Sequence, residues 1–235
     1  MDENKAVWVE KPVALSLDDL DTVGKKIAER DAFFAVGYNR RFSAHTREIV
    51  DFFANRSGPI TIHYSVAAGP PPRDTWSMDP EEGGGRVIGE MCHFVDLANC
   101  LVEDLCSSVY ARFIAKDTHV DDSMLAVLTY PDGSTCSLEY LAHSDPKLPK
   151  ERFEVSGEGK TARCMNFRTT EFSGRRNFRS LGQDKGQATE IREVVDAVQV
   201  GAPSPFTIEE ILNVSRVTFA MLESAATGLP VHVDR

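Results

Sequence analysis

Two short apolar runs, Ala6 to Val9 and Phe33 to Val36, are each followed by a stretch of helical periodicity. That order dictates a parallel β-α-β-α arrangement over the first part of the chain. A parallel strand is buried on both faces, so its residues are uniformly apolar, and its carboxyl end delivers side chains to an edge where open α/β sheets bind ligands. The first run ends in Glu10, Lys11 and Pro12, where the fixed φ and missing N–H of proline stop the strand. Ser16 is placed to cap a helix from about Leu17 to Arg30, and Ser43 one that runs through Phe53 and stops before Ser57, Gly58 and Pro59.

Beyond this point the pattern changes. The stretch "ITIHYSVAAG" alternates as a strand does, a Pro- and Gly-rich loop follows, and a helix is expected from about Gly89 to Val102. From Ser107 onward come four or more strand-like runs with turns at "YPDGS" and "SGEGK", the signature of a mostly antiparallel sheet. Two helices close the chain, one from about Gln187 to Val200 and one from about Ile208 to Ala226, the second behind the capping box Thr207 to Glu210. The predicted fold class is therefore α/β plus α+β. Residues 1–56 form a small parallel piece, and residues 57–235 a domain built on one large open sheet. Two strands are few for a doubly wound nucleotide domain, which usually has about six. The first piece thus reads as the last part of such a domain, with its front missing.

A formal charge of -10 opposes general attraction to nucleic acid or anionic lipid. No apolar run approaches the roughly 20 residues that span a bilayer, and the acidic start is no secretory signal, so a cytoplasmic location is expected. Five cysteines without a Cys-x-x-Cys pair fit reduced thiols, and the scattered histidines offer no metal-binding spacing, so no metal is expected. "GEGKTA", Gly157 to Ala162, imitates both a dinucleotide fingerprint and the end of a P-loop. Yet it is followed by another strand, and Glu154 stands where the first P-loop glycine belongs, so a hairpin turn is expected there.

Glu90, His93 and Asp96 stand at successive i, i+3 steps, which share one face of a helix. A histidine flanked by carboxylates suits general base catalysis, and equally a structural hydrogen bond within an amphipathic helix. Lys11 stands where it would polarise a hydroxyl or carbonyl, or be solvated. Tyr38, Asn39, Arg40 and Arg41 follow the second strand, placed either to bind a hydroxylated or anionic ligand or, for the two arginines, to form a solvated loop, and Trp76 is either a sugar-stacking wall or a lid residue packed on the core.

Taken in order, "VEKP", "VGYNRRF", "DPEEGGGRVIGEMCHFVD" and the closing "LESAATGLPVHV" resemble the glucose-fructose oxidoreductase and inositol dehydrogenase family, Gfo/Idh/MocA, over nearly the whole chain. The resemblance implies a Rossmann domain that binds NAD or NADP, followed by a domain whose open sheet serves substrate binding and homo-oligomerisation. It implies hydride transfer to or from a sugar, polyol or related small molecule. By the same resemblance Lys11, in the motif Glu10, Lys11 and Pro12, lies at the nicotinamide and His93 exchanges the hydroxyl proton; Glu90 is the candidate third catalytic group, and Tyr38, Asn39, Arg40, Trp76 and Asp96 remain the substrate-binding candidates that position and spacing suggest. Two departures stand out: Gly89 occupies the place of an aspartate common in the family, and no complete glycine fingerprint exists in this chain. A non-catalytic ligand-binding or assembly module derived from the family is the alternative expectation.

Overall fold

The computed structural model describes residues 5–30, 32–70, 84–114, 123–145 and 147–234. Strand β1 (Val7–Val9) pairs in parallel with β2 (Phe34–Val36), and helix α1 (Leu17–Arg30) connects them. Ser16 caps α1 by accepting the Asp19 N–H at 3.1 Å. A 3-10 turn, Asn39–Phe42, follows β2 and leads into α2 (Ala44–Phe53), whose first turn Ser43 caps by accepting the His45 N–H.

Among the described residues the second sheet has nine strands: β3 (Thr61–Ala67), β4 (Ser108–Phe113), β5 (Met124–Thr129), β6 (Thr135–Leu141), β7 (Glu151–Gly157), β8 (Lys160–Met165), β9 (Thr169–Phe172), β10 (Arg175–Arg179) and β11 (Val231–His232). Their spatial order is β10-β9-β8-β7-β3-β6-β5-β4-β11. All neighbours are antiparallel except β3 and β6, which run parallel at the centre. Glu158 and Gly159, at φ 51° and 73°, form the two-residue turn between β7 and β8. Positive φ at both positions is the geometry of the tight hairpin expected for "SGEGK", and no phosphate loop forms.

One face of this sheet is apolar and packs on helices α3 (Cys92–Val102) and α5 (Ile208–Thr227), while α4 (Gln187–Val200) lies against the 3-10 turn. The alternation in β3 is the pattern in miniature: Ile62, Tyr64 and Val66 are buried, and Thr61 and His63 face outward. Helix α1 crosses α5 where Gly24 leaves room for Leu212, whose nearest carbon would lie 3.1 Å from a Cβ at position 24. One apolar cluster runs from Ile27 and Phe34 through Phe153 to Val233.

The helix expected from Gly89 starts differently. A π-helical turn, Val87–Met91, precedes α3, and the Gly89 carbonyl accepts a hydrogen bond from Lys11 Nζ at 2.6 Å. A wide turn of this kind is uncommon and recurs at functional sites. It carries Glu90 and positions His93 at the start of the regular helix.

Candidate active site

The carboxyl ends of β1 and β2 and the start of α3 converge. Lys11, at the end of β1, reaches the π turn through its bond to Gly89. Glu10 lies over Gly37, where a Cβ would stand 3.1 Å from its Oε2. Pro12 follows Lys11 through a cis peptide bond. Tyr38 is buried, with its ring edge-on to His93, the centroids 6.4 Å apart.

Two buried side-chain polar atoms find no hydrogen-bond partner among the described residues, and they belong to these adjacent rings: the Tyr38 hydroxyl and His93 Nδ1. Ser215 lies near enough to the Tyr38 hydroxyl to act on it as a weak hydrogen-bonding neighbour, so His93 Nδ1 is the buried atom that most clearly lacks a partner, and buried polar atoms are nearly always satisfied. Burial first, and then Arg40, Lys11, Lys185 and Lys150, hold His93 well below the ordinary histidine value of 6.5. The imidazole is therefore neutral at physiological pH.

The carboxylates expected to flank His93 are engaged elsewhere. Glu90 accepts the Tyr140 hydroxyl at 2.8 Å and lies 3.6 Å from Lys150 Nζ. Burial pushes its carboxyl up, but Lys150, Tyr140, Arg86 and Lys11 together bring it below the usual range. Asp96 is fully buried and chelated by the Arg41 guanidinium at 2.6 to 3.2 Å, with Glu210 on the other side of Arg41 at 2.9 Å. Burial lifts the Asp96 carboxyl to about 6 against the pull of Arg41, and it stays ionised at neutral pH. Asp96 is thus an internal ion-pair residue, contrary to its expected contact with substrate.

Asn39 and Arg40 are likewise turned inward. Asn39 Nδ2 donates to the Lys185 carbonyl at 2.6 Å, and Arg40 forms a two-pronged pair with Glu151 at 2.7 and 2.9 Å. Both are about 5% exposed, so neither offers a free group to a ligand. The physical reason is Glu151 itself: a carboxylate fully buried in the sheet needs saturation, and Arg40, Lys185 Nζ and the Tyr64 hydroxyl provide it. Trp76 lies outside the described residues.

Several groups that shape this region went unnoticed in the sequence: Glu151, Lys185, Lys150 and Glu190. Glu151 had a readable signal, because it occupies the inward phase of an alternating strand, in step with Phe153 and Val155. Glu190 gave none. It is buried in the first turn of α4, accepts the Trp8 indole N–H at 3.3 Å, and is raised to about 7, mainly by burial.

Residues 58–163 match the family model described as GFO/IDH/MocA C-terminal domain. An uncharacterised oxidoreductase of Bacillus subtilis is 24% identical over 98% of this chain and 72% of its own length. A D-xylose 1-dehydrogenase (NADP(+)) of Haloferax volcanii is 25% identical over 99% of this chain and 74% of its own. Among solved structures, levoglucosan dehydrogenase in complex with NADH superposes with a TM-score of 0.83 at 18% identity, covering 100% of this chain and 75% of that one.

Proposed function

We propose that the chain, whose residues 58–163 match the GFO/IDH/MocA C-terminal domain, belongs to that family and serves an NAD(P)-dependent oxidoreductase acting on a sugar, polyol or related small molecule, with His93 as the proton-transfer group. The observation that carries this reading is the buried, unpartnered His93 Nδ1 beside the Tyr38 ring, at the edge where β1 delivers Lys11. A neutral imidazole accepts the proton of a substrate hydroxyl as that carbon is oxidised, and returns it in the reverse direction. Lys11, fixed against Gly89 by one of its three N–H groups, keeps two to orient the oxygen and stabilise the charge that develops on it. Tyr38 supplies a further hydroxyl on the same wall.

NAD or NADP, when bound, supplies the hydride acceptor or donor, and Glu10, Lys11 and Pro12 would hold its nicotinamide end. Among the described residues the parallel sheet has two strands, so this chain's share of the cofactor site is the nicotinamide end, with no glycine-rich turn for the pyrophosphate. Affinity of this chain for NADH or NADPH is accordingly expected to be weak. Saturable binding near micromolar in a fluorescence titration would overturn that partial-site reading. Replacing His93 with Ala, assayed at saturating cofactor, is expected to lower kcat by roughly 10²-fold or more while sugar binding persists. Unchanged kcat would remove His93 from the mechanism and favour a non-catalytic binding module.

A further inference from the structure

The walls around His93 carry an excess of positive charge, in a chain whose net charge is -10. Four cations bear on the imidazole: Arg40, Lys11, Lys185 and Lys150. Against them stand Glu151 and Glu90, with Arg86 a further cation acting on Glu90, while Asp96 one turn along α3 is held by Arg41. Glu151 is shared by Arg40 and Lys185, which leaves one positive charge over at that cluster. Lys11 is bonded to a neutral carbonyl and brings a second. Lys150 differs from the others in access: its side chain is 43% exposed, and its distance to Glu90 is 3.6 Å, whereas the Tyr140 hydroxyl sits on the same Glu90 oxygen at 2.8 Å. Lys150 is therefore the exposed and loosely held cation of this cluster.

Uncompensated positive charge around a proton-accepting group is costly for a site that takes a neutral polyol. Each cation there disfavours the imidazolium formed during oxidation. An anionic substituent on the substrate removes that cost, because it neutralises the excess as it binds and makes proton acceptance by His93 easier. We propose that the substrate of this site is a sugar or polyol bearing an anionic group, carboxylate or phosphate, and that Lys150 is the residue that selects it. The assignment rests on the oxidoreductase reading for the place of the site, and on the charge arrangement for the class of ligand.

The test is calorimetric and needs no turnover. Neutral sugars are compared with their acidic counterparts in matched pairs, D-glucose with D-glucuronate and D-galactose with D-galacturonate, with D-glucose 6-phosphate and D-galactose 6-phosphate as a second arm. At least one acidic member is expected to bind roughly tenfold more tightly than its neutral parent, as one charge-assisted contact provides. The arm with the larger gain identifies carboxylate or phosphate. Lys150→Gln is expected to erase most of that gain while leaving neutral sugars unaffected, and Lys150→Glu to reverse it. If no pair favours its acidic member, or if the preference survives in Lys150→Gln, the proposal falls. Acidic ligands that bind through Lys150 yet are not oxidised under conditions where titration shows the cofactor to be bound would leave the proposal standing and sink the oxidoreductase reading instead.

Discussion

At the scale of single residues, the chemistry of this region turns on one buried carboxylate. Glu151 is fully inaccessible and accepts from Arg40, Lys185 and Tyr64. Burial pushes its carboxyl up, but Arg40 and Lys185 prevail and bring it to about 2 from an ordinary value of 4.5. A depressed carboxylate contributes stability that is complete above the unfolded value and is lost as pH falls through the folded one. Stability of the wild-type chain should therefore decline from about pH 4.5 down toward 2. Glu151→Gln removes the negative charge and leaves two cations facing each other without a counter-ion. It is expected to cost about 3–5 kcal/mol at neutral pH and to flatten the decline below pH 4.5, both read by urea unfolding at a series of pH values. A variant as stable as wild type would show that Arg40 and Lys185 find other partners. The same residues explain how far the candidate site could be read beforehand. Lys11, His93 and Tyr38 stand at element ends, where local pattern locates them. Asn39, Arg40 and Asp96 have the same surface-like composition, and only partners 55 to 146 residues away decide that they face inward.

At the scale of elements, helix bounds were legible because their signals are local. Caps and apolar periodicity place α1 at Leu17–Arg30 and α4 at Gln187–Val200, and the Thr207 capping box opens α5. The π turn before α3 was not legible, since its Gly89 carbonyl is bonded by a lysine 78 residues earlier. Nor was the parallel pairing of β3 with β6, which no hairpin turn announces. The joint between α4 and the 3-10 turn is of the same long-range kind. Gly186 stands at φ 89°, and a Cβ there would meet the Asn39 oxygen at 2.3 Å, the Ser43 nitrogen at 2.6 Å and the Phe42 carbonyl carbon at 2.8 Å. All three are backbone atoms, so nothing yields by rotating a side chain. Around this contact Asp184 accepts the Ala44 N–H, and the Lys185 carbonyl accepts from Asn39. Gly186→Ala is expected to destabilise by roughly 3 kcal/mol or more, through strain and loss of this clamp, as a fall in the urea midpoint. A loss under about 1 kcal/mol would mean that α4 shifts away from the turn without penalty.

At the scale of the whole molecule, the nine-stranded sheet has a second face that α3 and α5 do not cover. On it Tyr110 and Leu125, 37% and 41% exposed, lie diagonally at the β4–β5 end, opposite Val127 and Arg112 respectively, while His63, Glu154 and Arg163 stand in one row toward β8. An apolar spot flanked by alternating charges suits an isologous contact, in which each copy supplies the same patch and a rotation brings Leu125 of one near the polar rows of the other. Self-association of the chain through this face is expected, with a buried area of about 1,200–2,000 Å² if the contact is stable. Leu125→Lys places one new charge on each copy at the contact, so light scattering after gel filtration should show a dimer for the parent and a monomer for the variant. A monomeric parent at the same concentrations would refute the assignment. Ionic strength adds a second reading. Two copies of charge -10 repel each other, so added salt should tighten the dimer by screening. It should at the same time weaken an acidic ligand held by Lys150, because that attraction is screened too. One salt series read by both mass and heat therefore separates the two surfaces: opposite slopes are expected, and slopes of the same sign would mean that the net charge does not govern assembly as its magnitude implies.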